Sequence, residues 1–522
     1  MTSRRSLARA GLLVTGAFFA ARVLGWIRLL VISTTFGASA DLDAFFAAFR
    51  IPDLIFQLVA AGALGTALIP VIAGLFASDE NARAWRVTST VANLMLAALA
   101  VLSVVVFVFA PWIIPAITPG FDPAQMDLTV TLSRIMLLSP ILLALGSVAN
   151  SVLNARHHFL APAIAPIAYN LAIIAAALFL APLIGVTGLA IGVVIGSVLL
   201  LAIQVPPLFR GGFRYVPRVD LRDAAARQTL LLMGPRAVGL GVGQLSLVIS
   251  TALASLLVTG SITAYNIAFT VLQIPIGIIG VPLGIVALPA MATELARGSV
   301  KRYTDLLVKS LRLILFVMLP MTAFGIVLRR QVITLLFDYG QFDAQAVDLT
   351  SDALFFFLLG LASESLLVIL ARAFYAGRDT RTPVIAAIIA VVVNVTIAIV
   401  TIGPLGLPGL ALGLAVGSWI ETVILVAILR LRVAGFSVSE LIDAGIRSGI
   451  AALVGGIVTF FVARGVETAL GPTLSKPELA IQVVLAGGLG TLAVVGVAVV
   501  LRIPELPSIL GLMRDALRRS GS

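Results

Sequence analysis

The sequence predicts an all-α polytopic membrane protein with about fourteen transmembrane helices, arranged as two pseudo-symmetric six-helix lobes plus two C-terminal helices. Three observations predict this fold class. The chain of 522 residues is 60% hydrophobic and 11% charged, with a mean hydropathy of +1.14, which is typical of membrane proteins and not of soluble domains. Basic residues recur in every second connection between apolar runs. Short strings of the first half recur in the second half at a nearly constant offset.

Apolar runs long enough to cross a bilayer, about 20 residues each, occur fourteen times and are numbered here span 1 to span 14. Their centres lie near Phe19, Val59, Leu99, Leu142, Ile173, Ile195, Leu245, Ile278, Phe316, Leu361, Ile389, Val416, Leu453 and Leu489. Span 1 follows Arg4, Arg5 and Arg9, as the apolar segment of a signal peptide does. It contains Arg22 and Arg28 and is longer than such a segment, so we interpret it as a retained helix.

Basic residues predict the orientation of the spans. The connections after even-numbered spans and the C-terminal tail carry Arg83, Arg86, Arg156, Arg210, Arg214, Arg218, Arg222, Arg227, Arg297, Lys301, Arg302, Arg378, Arg381, Arg430, Arg432, Arg502, Arg514, Arg518 and Arg519. The other connections are nearly free of lysine and arginine, with Arg329, Arg330, Arg464 and Lys476 as the exceptions. Because positively charged loops stay in the cytoplasm, we expect both termini to be cytoplasmic.

The two halves of the chain repeat each other. The matching strings are LVIST at 30–34 and 247–251, Ile51-Pro52 and Ile274-Pro275, G-L-A-x-G-x-x-x-G-S at 188–197 and 409–418, and Arg156 with Pro162 against Arg378 with Pro383. The offset between partners is 217 to 223 residues throughout. Spans 1–6 and 7–12 are therefore predicted to be two copies of one bundle, related by an axis along the membrane normal. The predicted divisions are an N-terminal lobe at 1–215, a C-terminal lobe at 216–435, and spans 13–14 with a cytoplasmic tail at 436–522.

Glycines and prolines of the repeat have structural interpretations. The glycines of 188–197 and 409–418 favour close packing of helix backbones. Pro52 and Pro70 in span 2, and Pro275 and Pro289 in span 8, remove intrahelical hydrogen bonds and predict bent helices. Such bends at equivalent places are compatible with gating a cleft and equally with curving around a core.

Spans 1 and 2 carry the charges that point to function: Arg22, Arg28, Asp43 and Arg50. A charged side chain at bilayer depth costs at least ~2.5–3.5 kcal/mol, so these groups are expected to line a wet cavity or pair with one another. Asp43 begins span 2 and Arg50 lies two turns away on the same face, which allows a triad of Arg28, Asp43 and Arg50. A structural salt-bridge cluster is the alternative, but one carboxylate cannot neutralise three guanidiniums. Because the planar guanidinium suits phosphate oxygens, we favour a site for a phosphate or diphosphate headgroup.

Uncharged and acidic residues of later spans are further candidates. Gln244 in span 7, with Asn266 and Gln273 in span 8, could hydrogen-bond a sugar or peptide, although helix–helix hydrogen bonding is an equal alternative. Glu364 and Glu421 are expected to pair with Arg372 or Arg430. Binding of a coupling cation by these acids is the less favoured alternative.

Several functional classes are excluded. The chain has no cysteine and only two histidines, so disulfides are excluded and a metal centre is improbable; His157 and His158 are interpreted as interfacial loop residues. The absence of a Gly-rich Walker loop excludes ATP hydrolysis by this chain, and no Ser/His/Asp set is available at one membrane face. We expect a non-enzyme without a cofactor, coupled to the membrane potential or to a monovalent cation, with no nucleic-acid partner.

The motifs together resemble one family. ARVLGWIR, FGASADLDAFFAAFRIPDL and AAGALGTALIPV in spans 1–2 are similar to the opening of the MurJ/MviN lipid II flippases, of the multidrug/oligosaccharidyl-lipid/polysaccharide exporter superfamily. Further matching strings are LNARHHFLAPAIAPIAYN, GPRAVGLGVGQLSLVISTALAS, IPIGIIGVPLGIVALPAMA, LFDYGQF and FYAGRDTRTPV. The resemblance therefore covers essentially the whole chain.

The resemblance implies a cationic central cavity lined by spans 1, 2, 7 and 8, and a groove in spans 13 and 14 for a polyprenyl tail. It implies outward transport of undecaprenyl-diphosphate-linked disaccharide pentapeptide by alternating access in the bacterial inner membrane, beside the cell-wall synthesis machinery. Arg22, Arg28, Asp43 and Arg50 fall on charged positions of the family motif. Where many relatives carry charges, this chain has Phe56, Gln57, Ala61, Phe269 and Thr270. Gln57 remains a candidate substrate-binding residue in this less charged cavity.

The leading hypothesis is a flippase of a lipid-linked anionic precursor that works without ATP. An inside-negative potential contributes ~2.3 kcal/mol per charge per 100 mV and favours outward movement of an anion. The alternatives are a cation-coupled multidrug or metabolite exporter, a flippase of another lipid-linked saccharide, and a non-transporting scaffold of the cell-wall machinery.

Overall fold

The structure is a computed structural model that describes residues 4–61, 64–471, 474–507 and 511. Within these ranges, the side chains of 4–13, 15, 60, 61, 64–66, 232 and 234–240 are outside the description. Some residues named in the sequence analysis have side chains outside the description. They are Arg4, Arg5, Arg9, Ala61, Arg514, Arg518 and Arg519.

The described residues are all-helical and contain no strand. The helices are α1 Arg4–Phe36, α2 Ala40–Phe56, α3 Leu64–Ala77, α4 Asn81–Ile117, α5 Pro123–Met136, α6 Leu138–Ala155, α7 Leu160–Ala175, α8 Ala181–Ile184, α9 Thr187–Arg210, α10 Ala224–Ser255, α11 Ser261–Pro275, α12 Val281–Ala296, α13 Val300–Phe337, α14 Ala344–Leu359, α15 Leu361–Ala376, α16 Arg381–Leu405, α17 Leu407–Arg432, α18 Val438–Leu470 and α19 Lys476–Val500. Three π-helical turns lie at Gln57–Ala61, Ala176–Leu180 and Ile276–Gly280.

The helices confirm a multi-pass membrane protein. In the described part of the chain, 11 helical segments are long and apolar enough to cross a membrane, and a twelfth span arises if α14 and α15, bent by 46°, count as one. Spans 2 and 7 of the sequence prediction are represented there by the shorter apolar helices Ala67–Ala77 and Gly241–Ser255. Each of these two shorter helices borders residues whose side chains lie outside the description.

Contacts divide the chain into two compact units. The first unit comprises Met1–Thr263 with Tyr339–Asp343, and the second comprises Ala264–Asp338 with Ala344–Ser522. In the first unit, α1 packs on α7, α7 on α9, and α2 on α5, around a core that includes Leu68, Val91 and Leu99. In the second unit, α16 packs on α17, and α18 packs on both α13 and α19.

The backbone repeats at the offset found in the sequence. Positive-φ residues recur 219 to 223 positions apart, in the pairs Gly37 and Gly260, Asp79 and Gly298, His157 and Arg378, Gly185 and Gly406, and Gly212 and Gly435. The π-helical turn after α2 has a counterpart after α11, where Pro275 directly precedes it. The proline-containing helices therefore depart from regular α-geometry at equivalent places, as π-turns rather than simple proline kinks.

The glycine-rich strings pack as predicted. A Cβ on Gly196 of α9 would lie 2.9 Å from the backbone oxygen of Tyr169 in α7. In the second unit, a Cβ on Gly417 of α17 would lie 2.7 Å from the backbone oxygen of Ala390 in α16. Both distances are too short for a side chain, so these glycines allow the close approach of two helix backbones.

Candidate functional site

The start of α2 is fixed by its own sequence. Ser39 caps the helix, because its side chain accepts a hydrogen bond from the backbone N–H of Leu42 at 3.3 Å. Asp41 and Asp43 lie in the first turn, where carboxylates interact favourably with the helix dipole. Asp41 is exposed and Asp43 is buried, so only Asp43 faces the protein interior.

Asp43 binds the beginning of α11. Its Oδ2 accepts a hydrogen bond from the backbone N–H of Gly260, and its Oδ1 accepts from both the backbone N–H and the hydroxyl of Thr263, all at 2.7 Å. The carboxylate is thus an N-terminal cap supplied by another helix. The sequence had allowed a triad with Arg28 and Arg50; the structure instead uses both oxygens of Asp43 to hold the first turn of α11.

A polar stripe on α2 faces a polar stripe on α10. Arg50 Nε donates to Thr251 Oγ1 at 3.0 Å, and Asp53, which interacts electrostatically with Arg50, is hydrogen-bonded to the side chain of Gln244. Gln57 Nε2 lies 3.4 Å from Asp53 Oδ1. Arg50 and Asp53 share one face of α2, Gln57 begins the π-helical turn that follows it, and Gln244 and Thr251 are two turns apart on α10. Arg50 is therefore matched by Thr251 and Asp53 by Gln244.

Arg28 approaches this stripe from α1. Its guanidinium lies over the ring of Tyr169 in α7, 5.8 Å from the centroid, and the two side chains are also hydrogen-bonded. Tyr169 in turn lies within electrostatic range of Asp53. Arg28, Tyr169, Asp53 and Arg50 thus form one cluster, which we call the arginine cluster, with Gln57, Gln244 and Thr251 at its edge.

Arg22 lies on α1 and is exposed. The α1 backbone at this level is held by Asn170 of α7, whose Nδ2 donates to the oxygen of Ala21 at 3.3 Å. Neither Arg22 nor Arg28 forms an ion pair with any acid among the residues that the structure describes. A closed salt-bridge cluster therefore does not account for these two cations.

In the second unit, the candidates Asn266 and Gln273 lie on α11. Both are half-buried, and the backbone oxygen of Asn266 accepts a hydrogen bond from Thr270 at 2.7 Å. On the same helix Tyr265 and Phe269 pack against Phe357 of α14, with centroid distances of 5.1 and 5.9 Å. This part of α11 is aromatic and uncharged, as its sequence predicts.

Glu364 of α15 and Glu421 of α17 form no ion pair with an arginine among the residues that the structure describes. They interact electrostatically with each other, next to a hydrogen bond of 2.9 Å between Ser363 and Thr422. Arg372 Nη1 instead lies 3.4 Å from the backbone oxygen of Val281, and Arg430 forms no ion pair in the described residues. The favoured prediction, pairing with Arg372 or Arg430, is wrong for the described residues, because neither acid forms an ion pair there.

Outside the spans, an ion pair fixes the beginning of α10. Asp223 accepts from Arg83 Nε at 2.8 Å and from Arg83 Nη2 at 3.2 Å, and it also caps α10 through the backbone N–H of Ala225. The Arg83 hydrogen bonds hold the pKa of Asp223 below its usual range. The preceding connection is tied to α4, since Asn93 Nδ2 donates to the backbone oxygens of Val216 and Arg218. His157 and His158 are exposed loop residues, as predicted.

Sequence reasoning missed three members of the site: Asp53, Tyr169 and Thr251. Asp53 carried a usable signal, because an acid three residues after Arg50 on a helix shares its face. Tyr169 and Thr251 carried none, since their roles depend on which helices pack together.

Comparison with known proteins agrees with these observations. A family model described as lipid II flippase MurJ matches residues 32–474. The protein of Burkholderia cenocepacia named lipid II flippase MurJ is 34% identical over 437 residues, covering 82% of this chain and 84% of that protein. The probable lipid II flippase MurJ of Rhizobium tropici is 31% identical over 427 residues, covering 80% of each chain.

Solved structures share the fold. The structure of a lipid II flippase MurJ in an inward closed conformation superposes with a TM-score of 0.78 at 24% identity, covering 94% of this chain and 99% of the other. An inward-facing multidrug resistance MATE family transporter gives a TM-score of 0.66 at 17% identity, covering 79% of this chain and 94% of the other. The solved structures show a shared fold, whereas the family model and the similar sequences show family membership. This chain belongs to the lipid II flippase MurJ family.

Proposed function

We propose that this chain moves lipid II, the undecaprenyl-diphosphate-linked peptidoglycan precursor, from the inner to the outer leaflet of the bacterial inner membrane. Transport proceeds by alternating access and without ATP hydrolysis. Family membership supports the substrate, since the relatives are named lipid II flippases. The single observation that carries the proposal is the arginine cluster, whose Arg28, like Arg22 on the same helix, has no acidic ion-pair partner in the described part of the chain.

The candidate substrate-binding residues divide by chemistry. Arg22, Arg28 and Arg50 bind the diphosphate oxygens, because a guanidinium offers parallel donors to a phosphate. The side-chain amides of Gln57, Gln244, Asn266 and Gln273 hydrogen-bond the saccharide and peptide. Asp43 acts indirectly by holding the first turn of α11, the helix that carries Asn266 and Gln273.

The finer architecture is part of the proposal. The chain has fourteen spans, in an N-terminal lobe at 1–215, a pseudo-symmetric C-terminal lobe at 216–435, and spans 13–14 with the tail at 436–522. The recurring positive-φ positions support the repeat. The basic connections after even-numbered spans support cytoplasmic termini, and the cell-wall synthesis machinery is the expected protein partner.

Replacement of a host's own flippase tests the function. Cells depleted of that flippase are rescued by this chain, and Arg28→Ala or Arg22→Ala abolishes rescue at normal protein levels. The matched control is Arg134→Ala, which removes an arginine whose contacts are the ring and backbone of Phe107, outside the cluster. Full rescue by both Arg28→Ala and Arg22→Ala refutes the assigned roles, and absence of rescue by the wild-type chain refutes the proposed substrate.

A second candidate function is a cation-coupled exporter of drugs or metabolites. It is favoured by the adjacent acids Glu364 and Glu421, which lack an arginine partner among the described residues, and by the fold likeness to a MATE transporter. A monovalent cation at these acids is also compatible with a coupled flippase. Efflux assays distinguish the two: a robust drug-efflux phenotype that is lost in Glu364→Gln supports the exporter, and no efflux supports the flippase.

A further inference from the structure

Asp53 is an acid in the middle of a site that is otherwise cationic. It is half-buried on α2, and its closest partners are side chains: Gln244, Gln57 at 3.4 Å, and Arg50 through its charge. Asp43, ten residues earlier, differs because it receives backbone N–H groups and is only 3% exposed. Asp43 is therefore locked into the fold, whereas Asp53 is held by contacts that side-chain rotation can break.

The neighbours of Asp53 are the groups expected to bind an anion. Arg50 precedes it by one helical turn, and the ring of Tyr169, which lies within its electrostatic range, carries Arg28 on its face. A diphosphate placed on Arg28 and Arg50 would come close to a carboxylate of the same sign. Such like charges disfavour binding, so the carboxylate lowers the affinity of the site for the substrate proposed above.

A carboxylate nevertheless has a use in a transport site. An arginine at membrane depth is costly when no counter-charge is near, and the site must exist without substrate in every transport cycle. A transporter must also release its substrate, and binding that is too tight slows turnover. An acid next to Arg50 lowers the free-energy cost of keeping this arginine at membrane depth when no substrate is bound. It also lowers the affinity of the site for the bound anion.

We infer that Asp53 is an exchangeable counter-ion of the arginine cluster: it neutralises Arg50 in the empty site, gives way to the substrate diphosphate, and returns to promote release. This inference rests on the proposed function, since it assumes a diphosphate substrate. It makes Asp53 a positioning residue that sets the balance between affinity and turnover.

The test measures affinity and transport on the full-length chain. Asp53→Asn keeps the size of the side chain and one acceptor oxygen and removes its charge, and Asp53→Ser removes the charge with a smaller group. Binding of undecaprenyl diphosphate is titrated in nanodiscs, and transport of the lipid is followed in proteoliposomes. Asp53→Glu restores the charge, and Asp41→Asn is the matched control because Asp41 is an exposed acid of the same helix.

The charge-removing variants bind undecaprenyl diphosphate about tenfold more tightly, equivalent to about 1.4 kcal/mol, and their maximal transport rate falls. Asp53→Glu, which keeps the negative charge, shows no such gain in affinity, and Asp41→Asn stays close to wild type. A purely structural role for Asp53 predicts the reverse, weaker binding together with a lower melting temperature, and that result overturns the inference. Unchanged affinity in whichever charge-removing variant folds also overturns it.

Failure of the proposed function gives a different result. A wild-type chain that binds undecaprenyl diphosphate no better than Arg28→Ala refutes the substrate and the counter-ion role together. Wild-type binding that depends on Arg28 but is indifferent to the charge at position 53 refutes the counter-ion role alone.

Discussion

Removal of the Asp43 carboxylate is expected to destabilise the first unit strongly. Asp43→Ala deletes the acceptor of three hydrogen bonds of 2.7 Å and leaves the backbone N–H groups of Gly260 and Thr263 without it. Loss of a cap costs about 0.5–2 kcal/mol, and a buried donor without an acceptor costs about 1–3 kcal/mol. Because the Thr263 hydroxyl can find another acceptor, we expect a total loss of about 3 kcal/mol.

Unfolding in mixed detergent micelles measures this loss. Asp43→Asn retains an amide oxygen as acceptor and should lose only about 1 kcal/mol, because it gives up charge assistance and one oxygen. Asp41→Ala is the matched control, since Asp41 lies in the same helical turn but is exposed; it should lose at most about 1 kcal/mol of dipole interaction. Equal free energies of unfolding for Asp43→Ala and Asp41→Ala would refute the capping role.

Two further predictions concern stability. Gly417→Ala should destabilise the second unit by about 1–3 kcal/mol, because the new methyl lies 2.7 Å from a backbone oxygen; Gly449→Ala, which meets nothing within 4 Å, is the control, and equal melting temperatures would contradict the packing. Arg83→Gln should destabilise the chain at neutral pH by removing the ion pair with Asp223. The pKa of Asp223 is lower in the folded state than in the unfolded state. The ion pair therefore contributes fully to stability when the pH is above the unfolded-state pKa of about 3.9, and this contribution is lost as the pH falls through the folded-state pKa. The difference in stability between wild type and Arg83→Gln should therefore shrink below about pH 4, and a constant difference would contradict it.

Features that depend on local sequence were predictable. Hydropathy marks each long helix because the bilayer sets its length, and the glycines of 188–197 and 409–418 predict close packing because only glycine lets two backbones approach so far. The repeat was also readable, since its signals stand at a constant offset. Recognition of the MurJ/MviN family from its motifs was confirmed.

Features that depend on distant partners were not predictable. Asp43 finds its donors at Gly260 and Thr263, 217 and 220 residues away, and nothing near Asp43 in the sequence indicates that choice. Glu364 and Glu421 were matched with arginines by charge alone. Helix rotation and packing decide which acid pairs with which arginine. The sequence around Arg372 and Arg430 does not indicate how their helices are rotated and packed.

Reconstituted transport tests the central claim most directly, namely that the guanidinium groups of spans 1 and 2 carry a diphosphate-linked lipid across the membrane. Proteoliposomes containing the purified chain and lipid II are assayed for appearance of the lipid in the outer leaflet. We expect transport without ATP, acceleration by a potential negative on the side the substrate leaves, loss of transport in Arg28→Ala, and retention of transport in Arg134→Ala. Transport that survives Arg28→Ala unchanged, or that requires ATP, would contradict it.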